Sequence, residues 1–467
     1  MVLRKIFFLS VILMVTSTCF AGQRLIVIDQ PYFAGLRQAT DAIRMYGGHP
    51  RIVVYPRFII ADIPDDALDE VLAHLPVRGV YETEVEPSQF AEFGKVGRHL
   101  AQAWNNVYMG KSLQMGLDEE PSQDRKPLIN DAFYVDDPML LMKPPGSRYY
   151  DTSDFMLGNV AVGFILPESD GSIDPDTEDW TQTEMDNVTS EVISGLNWYV
   201  TQADYRPLTF YTVFHYQVPT SYEPITHPSS DEALWRDECL NNLGYAHRYE
   251  YVRAIRDSFN ADWGVLALVV DDTNDPDNAF ANGAFAYSYL GGPNLVMTYD
   301  NDGWGIANMD AVLAHEISHS FFALDEYYEA GEPCAARSGY LNVENQNSEY
   351  PNGAGGCESN KIFCIMRSVS LGAARVCYYT KGQIGWWDSD GDSLPDIIDT
   401  CPETVLYPYS PDPCSTFTPT YAGSSWVTML PNENPRDSHP NDVTINRILK
   451  VEYRVDGGAW HEALPND

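Results

Sequence analysis

Apolar positions recur along this chain with two periods, and the switches between them outline an α/β protein. From residue 24 the order is strand, helix, strand, strand, helix, strand. Arg24 to Ile28 is short and apolar, and Gln30 to Tyr46 carries helical spacing until Gly47-Gly48. Arg51 to Ile63 reads as two strands meeting near Pro56, Asp65 to Leu75 as a helix, and Val77 to Val85 as a closing strand. Residues 91–149 read as a linker, most clearly 111–150 with their Lys, Asp, Glu, Gln and Pro. A larger unit, 150–387, follows. It holds a long helix at Thr181 to Thr201, a strand at Leu208 to Gln217, a helix at Tyr249 to Phe259 and an apolar strand at Trp263 to Asp271. Phe285 to Leu290 alternates as an edge strand would, and Gly291-Gly292-Pro293-Asn294 turns the chain into Leu295 to Tyr299. A helix from about Asn308 to Leu324 comes next. The pattern predicts a mixed sheet with this helix behind its last strand. In the tail, 415–467, a strand, the turn Asp456-Gly457-Gly458 and a second strand predict part of an Ig-like β-sandwich.

Other features place the chain outside the cell. Arg4 and Lys5 precede an apolar run from Ile6 to Val15, and small residues follow at Ala21 and Gly22, so residues 1–21 read as a signal peptide. The run is too short for a membrane span. Cys19 raises the alternative of a lipoprotein, although Thr16 stands where such a signal wants an apolar residue. The net charge of −38, from 67 acidic against 29 basic residues, argues against nucleic acid or an anionic membrane as the main partner. Of the seven cysteines beyond the signal, six fall between 334 and 414, which in an oxidising compartment predicts disulfides. The expected pairs are Cys401 with Cys414 and two bridges among Cys334, Cys357, Cys364 and Cys377, leaving Cys239 as a free or intermolecular thiol.

The strongest chemical signal is His315-Glu316-Ile317-Ser318-His319 inside the predicted helix. Four residues is just over one helical turn, so both imidazoles project from one face and can bind a single ion. Zinc suits two neutral imidazoles plus an oxygen ligand with one open position. Glu316 stands beside that face as a general base, while Leu313, Ile317 and Phe321 form an apolar back. The alternative reading is two histidines on a helix without a metal. Six residues past His319 stands Asp325, and Cys364-Ile365-Met366 lies further on.

With these three elements in order, His315 to Tyr327 resembles the metzincin zinc endopeptidases that take an aspartate as third ligand. It is also loosely similar to bacterial IgA-cleaving metalloendopeptidases. The resemblance spans about 150–387 and implies a zinc held by His315, His319 and Asp325, with Met366 as the methionine turn below it. It further implies Glu-assisted attack of zinc-bound water on a peptide bond, and substrate laid along the edge strand through Phe285, Tyr287 and Tyr289. Phe322 departs from the pattern, since it replaces the usual Gly where the chain leaves the helix. A helix that ran on past this point would present Asp325 or Glu326 differently. Glu344 or Glu349 is the more distant alternative as third ligand. Ser368 stands where some families carry a Tyr, with Tyr378 a candidate replacement. The 24–90 unit resembles, in its element order, the small α+β prosegments of secreted proteases, with a plain accessory domain as the alternative; it contains no cysteine, so any inhibition it exerts works by covering the cleft.

Asp388, Asp390, Asp392, Leu394, Asp396 and Asp399 fall at the loop positions where carboxylates and one backbone carbonyl coordinate calcium. The string 388–402 resembles a thrombospondin type 3-like repeat, with Ser393 standing where an EF-hand has Gly. The sequence therefore predicts a secreted zinc and calcium metalloendopeptidase acting on protein or peptide. The competing reading is a calcium-stabilised surface or matrix-binding protein with an incidental peptidase-like domain.

Overall fold

The structure, a computed structural model, describes residues 21–110, 144–353, 357, 362–367, 370–408 and 420–464. The signal segment therefore lies outside the described residues. In chain order the strands are β1 (Ala21–Ile28), β2 (His49–Val54), β3 (Phe58–Pro64), β4 (Val77–Tyr81), β5 (Gly158–Ser169), β6 (Leu208–Thr220), β7 (Trp263–Val270), β8 (Ala286–Ser288) and β9 (Asn294–Thr298). They form one mixed sheet in the order β4-β1-β3-β2-β6-β5-β7-β9-β8. The central strands β6, β5, β7 and β9 run parallel. Both faces of β7 are covered, which is why Gly264 to Val270 is apolar without alternation.

The helices are α1 (Phe33–Met45), α2 (Leu68–Ala73), α3 (Pro87–Phe90), α4 (Gly94–Ala103), α5 (Gln182–Ala203), α6 (Glu232–Asn242), α7 (Arg248–Phe259), α8 (Met309–Ser320) and α9 (Tyr378–Gln383). Core side chains of α4, α5 and α8 pack on one face of the sheet, and those of α1, α2, α6 and α7 on the other. Among the described residues no helix is long and apolar enough to cross a membrane.

The N-terminal unit has the predicted element order, but its sheet does not close on itself. Strand β2 pairs antiparallel with β3 and parallel with β6, matching Ile52 with Phe210 and Val54 with Thr212. Arg51 reaches across to Asn197 Oδ1 at 2.8 Å, and Thr209 donates to the Pro50 carbonyl at 2.7 Å. The expected linker also begins later than predicted. Residues 94–108 are helical, with Leu100, Ala101, Ala103 and Trp104 fully buried and His99 Nδ1 2.6 Å from Asp186. The interspersed charges Glu92, Lys95 and Arg98 hide this apolar stripe in the sequence.

Helix α5 begins at a capping box: Thr181 Oγ1 accepts from the Glu184 amide at 3.3 Å, and Glu184 accepts from the Thr181 amide at 2.7 Å. Its far half carries α8. A Cβ on Gly195 would meet the Asp310 carbonyl at 2.6 Å, so only glycine lets the two helices come this close. Tyr199 donates to the Ala314 carbonyl at 2.9 Å and contacts Ser318.

The tail does not form the predicted sandwich. Strand β10 (Arg337–Ser338) pairs with β11 (Val343–Glu344), β12 (Glu403–Leu406) with β13 (Gly423–Trp426), and β14 (Glu452–Tyr453) with β15 (His461–Glu462). These are isolated pairs with no facing sheet among the described residues, and Leu449 is 94% exposed. The preceding stretch instead straps onto the main body: Tyr340 donates to the Leu430 carbonyl at 2.7 Å and accepts from the Val443 amide at 2.9 Å.

Cys334 and Cys357 are bonded. Cys364 and Cys377, expected in a second bridge, are buried thiols, and Cys239 is a buried thiol as predicted. Cys401 is an exposed thiol, and its expected partner Cys414 lies outside the described residues.

Candidate metal centre

Both histidines lie on α8, one turn apart, with ring centroids 4.9 Å from each other. Each ring is fixed by a main-chain acceptor. His315 Nδ1 is 3.0 Å from the Ile365 carbonyl, and His319 Nδ1 is 2.8 Å from the Ala323 carbonyl. Donation from Nδ1 leaves the Nε2 lone pairs facing one point. The two Nε2 atoms are 3.2 Å apart, and Asp325 Oδ1 lies 2.9 and 3.3 Å from them without hydrogen-bond geometry.

Three ligand atoms at this spacing could hold a cation between them. Ligands about 2.0–2.1 Å from a tetrahedral ion are about 3.3 Å apart, so this two-imidazole, one-carboxylate set fits zinc. Burial works to lower both imidazole pKa values, yet the neighbouring carboxylates, Asp325 foremost, outweigh it. His315 is raised and His319 is pushed up to about 9. Burial works to raise Asp325, but the two imidazoles hold it well below the usual carboxylate range.

Asp325 reaches this position because α8 stops where the sequence reading let it continue. Phe321 ends the helix, and Phe322 adopts φ 68°, the left-handed exit normally left to glycine. Its ring presses on Gly291, whose missing side chain provides the space. The exit is thus made by a Phe–Gly pair rather than by a glycine on the helix.

The alternative ligands are engaged elsewhere. Glu326 is fully buried and turned away, accepting from Asn347 Nδ2 at 2.5 Å and from Cys377 Sγ and Thr380 Oγ1 at 2.9 Å each. Glu344 pairs with Arg337, and Glu349 with Arg367. Met366 is fully buried in the turn whose Ile365 carbonyl holds His315, and its own carbonyl accepts from the Glu326 amide at 2.9 Å.

Glu316 is 7% exposed, and its Oε2 has no hydrogen-bond partner among the described residues. Burial raises its pKa against the pull of His315 and His319. Tyr378 stacks on Trp387 at 4.9 Å and is 60% exposed, and Ser368 lies outside the described residues. The aromatic beside the histidines is Tyr327, its ring 6.2 Å from that of His315. Burial, then the charges of Asp325 and Glu316, raise its pKa to about 12. Its place next to the Asp-Glu pair was the available signal in the sequence.

Strand β8 is the last in the sheet, paired only with β9 among the described residues. It adjoins α8, since the Gly291 amide donates to the His319 carbonyl at 2.9 Å and Ser288 Oγ is 3.3 Å from Ser320 Oγ. The expected contact side chains point elsewhere. Tyr287 donates to the Ser229 carbonyl at 3.4 Å, and Tyr289 to Glu232 at 3.3 Å with Arg248 over its ring. Phe285 stacks on Trp304. Ala286 and Ser288 share the face of Leu295 and Met297, toward α8.

In the aspartate loop, oxygens of Asp388, Asp390 and Asp392 lie within 4.8 Å of one another. Amides of Gly391 and Ser393 donate to Asp388 at 2.8 and 3.1 Å, and the Leu394 amide to Asp392 at 2.8 Å. Ser393 takes φ 77°, the turn an EF-hand assigns to glycine. Asp396 is tied back to the Ser389 amide at 2.7 Å, and the charges of Asp392, Asp390, Asp396 and Asp388, with Asp392 largest, raise the pKa of the exposed Asp399. Comparison with protein-family models, with curated proteins and with solved structures gave no match to this chain.

Proposed function

We propose that the chain is an exported zinc-dependent endopeptidase of the metzincin type. The observation that carries this reading is the convergence of His315 Nε2, His319 Nε2 and Asp325 Oδ1 beside Glu316, whose Oε2 has no partner among the described residues. Zinc bound there supplies a Lewis acid that acidifies water and polarises a carbonyl. Glu316 takes a proton from the attacking water and passes it to the leaving amine; its raised pKa suits both directions of transfer. The Ile365 and Ala323 carbonyls keep the imidazoles in the ligating tautomer. Tyr327, whose ring lies 6.2 Å from that of His315, would donate to the oxygen on which charge develops. The outer edge of β8 offers unpaired main-chain groups to an extended peptide, which gives affinity with little side-chain preference. The aspartate loop, loaded with calcium, stiffens the junction to the tail.

The second reading, a calcium-stabilised matrix binder, draws on the exposed Leu449, Tyr453 and Trp460 of the tail. Comparison of wild type with Glu316→Gln separates the two. Both proteins should carry one zinc, and the variant should lose about 10²–10⁴-fold in kcat on peptides. Absence of zinc, or equal hydrolysis by both, sinks the enzyme reading.

A further inference from the structure

The carboxyl ends of the central strands lie at the end of the sheet away from His319, and a second group of acidic side chains gathers there. Oxygens of Glu168, Asp176 and Asp179 lie within 4.8 Å of one another. Glu168, the last residue but one of β5, is 7% exposed, and the Trp180 amide donates to its Oε2 at 3.2 Å. Next to it Asp271 follows β7. The parallel register pairs Ile165 with Leu268, so three residues on Glu168 is level with Asp271, both on the α5 face. Asp271 is 4% exposed: Thr273 donates to its Oδ1 through the amide at 3.1 Å and the hydroxyl at 2.6 Å, while its Oδ2 is buried with no hydrogen-bond partner among the described residues.

Carboxylates this close, with Glu168 and Asp271 buried, cannot all ionise without a counter-charge. Burial first, then Asp179 and Asp271, push Glu168 up to about 9. An all-oxygen set wants a hard cation contacted at about 2.3–2.6 Å, which is the preference of calcium and not of zinc. We propose that Glu168, Asp176, Asp179 and Asp271 form a calcium site at the carboxyl ends of β5 and β7, separate from the aspartate loop at 388–399. Bound there, the ion ties the 170–180 loop to the sheet. That loop is otherwise held by the Asp174–His227 pair at 2.6 Å and by Glu223, which accepts the Thr177 and Glu178 amides at 3.0 and 3.2 Å. It leads directly into α5, the helix on which α8 rests.

The test begins with the full chain carrying Asp390→Asn and Asp392→Asn, which silences the aspartate loop. Flow dialysis should still find one bound calcium, and terbium should luminesce through the neighbouring Trp180. Adding Asp271→Asn, or Asp179→Asn at its less buried position should the first fail to fold, should weaken calcium binding at least tenfold. Glu168→Gln gives a readout that a purely structural role would not: a higher Tm than the parent in EDTA, and no further rise with calcium. No calcium on the loop-silenced protein, or undiminished affinity in the Asp271 and Asp179 variants, overturns the proposal.

Discussion

Phe322 holds a backbone conformation that costs a side chain about 1–2 kcal/mol, and its burial against Gly291 offsets that cost. Two residues far apart in the chain thus do the work of one glycine, and a local reading of residue 322 alone points to a longer helix. The His pair, Glu316 and Asp325 were legible because one turn of helix and a short exit fix their relation. Tyr327 was not, because its closeness to His315 depends on how the exit folds back. Its hydroxyl should matter only in the transition state. Tyr327→Phe is expected to keep one zinc per chain and an unchanged KM while kcat falls about tenfold or more. A KM effect alone, or loss of zinc, would move Tyr327 from chemistry to packing.

At the scale of elements, β8 was readable as an edge from its alternation, yet the choice of Tyr287 and Tyr289 followed side-chain size instead of the pleat. The bonds from Thr298 to the Phe285 carbonyl and from Tyr289 to the Asn294 carbonyl show that odd-numbered residues pair inward. Residues 286 and 288 therefore turn their amides outward. Ser288→Pro should raise KM for peptides several-fold with zinc content and Tm nearly unchanged, whereas Tyr287→Pro should lower Tm by breaking the ladder to β9. Equal KM for Ser288→Pro and wild type would remove the edge from substrate binding. Helix α8 carries a pH dependence of its own. Glu191 accepts from the Asp310 amide at 3.3 Å at its first turn, and burial, then Asp310, push Glu191 up to about 8 from 4.5. Its contribution to stability is complete below about pH 4.5 and is lost as pH rises through 8, at most roughly 5 kcal/mol. Glu191→Gln should therefore gain Tm relative to wild type steadily between pH 5 and 8.5. A constant difference across that range would show that Glu191 does not titrate with folding.

At the scale of the molecule, the α/β character and the order of the first six elements could be read from periodicity, because each element buries one face or both. The joining of the two halves could not. Nothing local in Ile52 to Val54 or Phe210 to Thr212 says that they are partners, since any two apolar strands satisfy the same pattern. For the same reason two tail strands suggested a sandwich that has no second sheet among the described residues. The union of the halves bears on processing. A protease cut between Gly110 and Pro144 should leave both pieces together on a native gel and in size exclusion, parting only in denaturant. Loss of the N-terminal piece on cutting, with activity gained, would restore the detachable-inhibitor view. The β2–β6 ladder also sets a schedule for assembly. Emerging amino end first during synthesis, the opening strands must keep a bare hydrophobic rim until β6 arrives, so folding should wait on late chain and run slowly. A chaperone that holds such a rim would act on this protein during that interval.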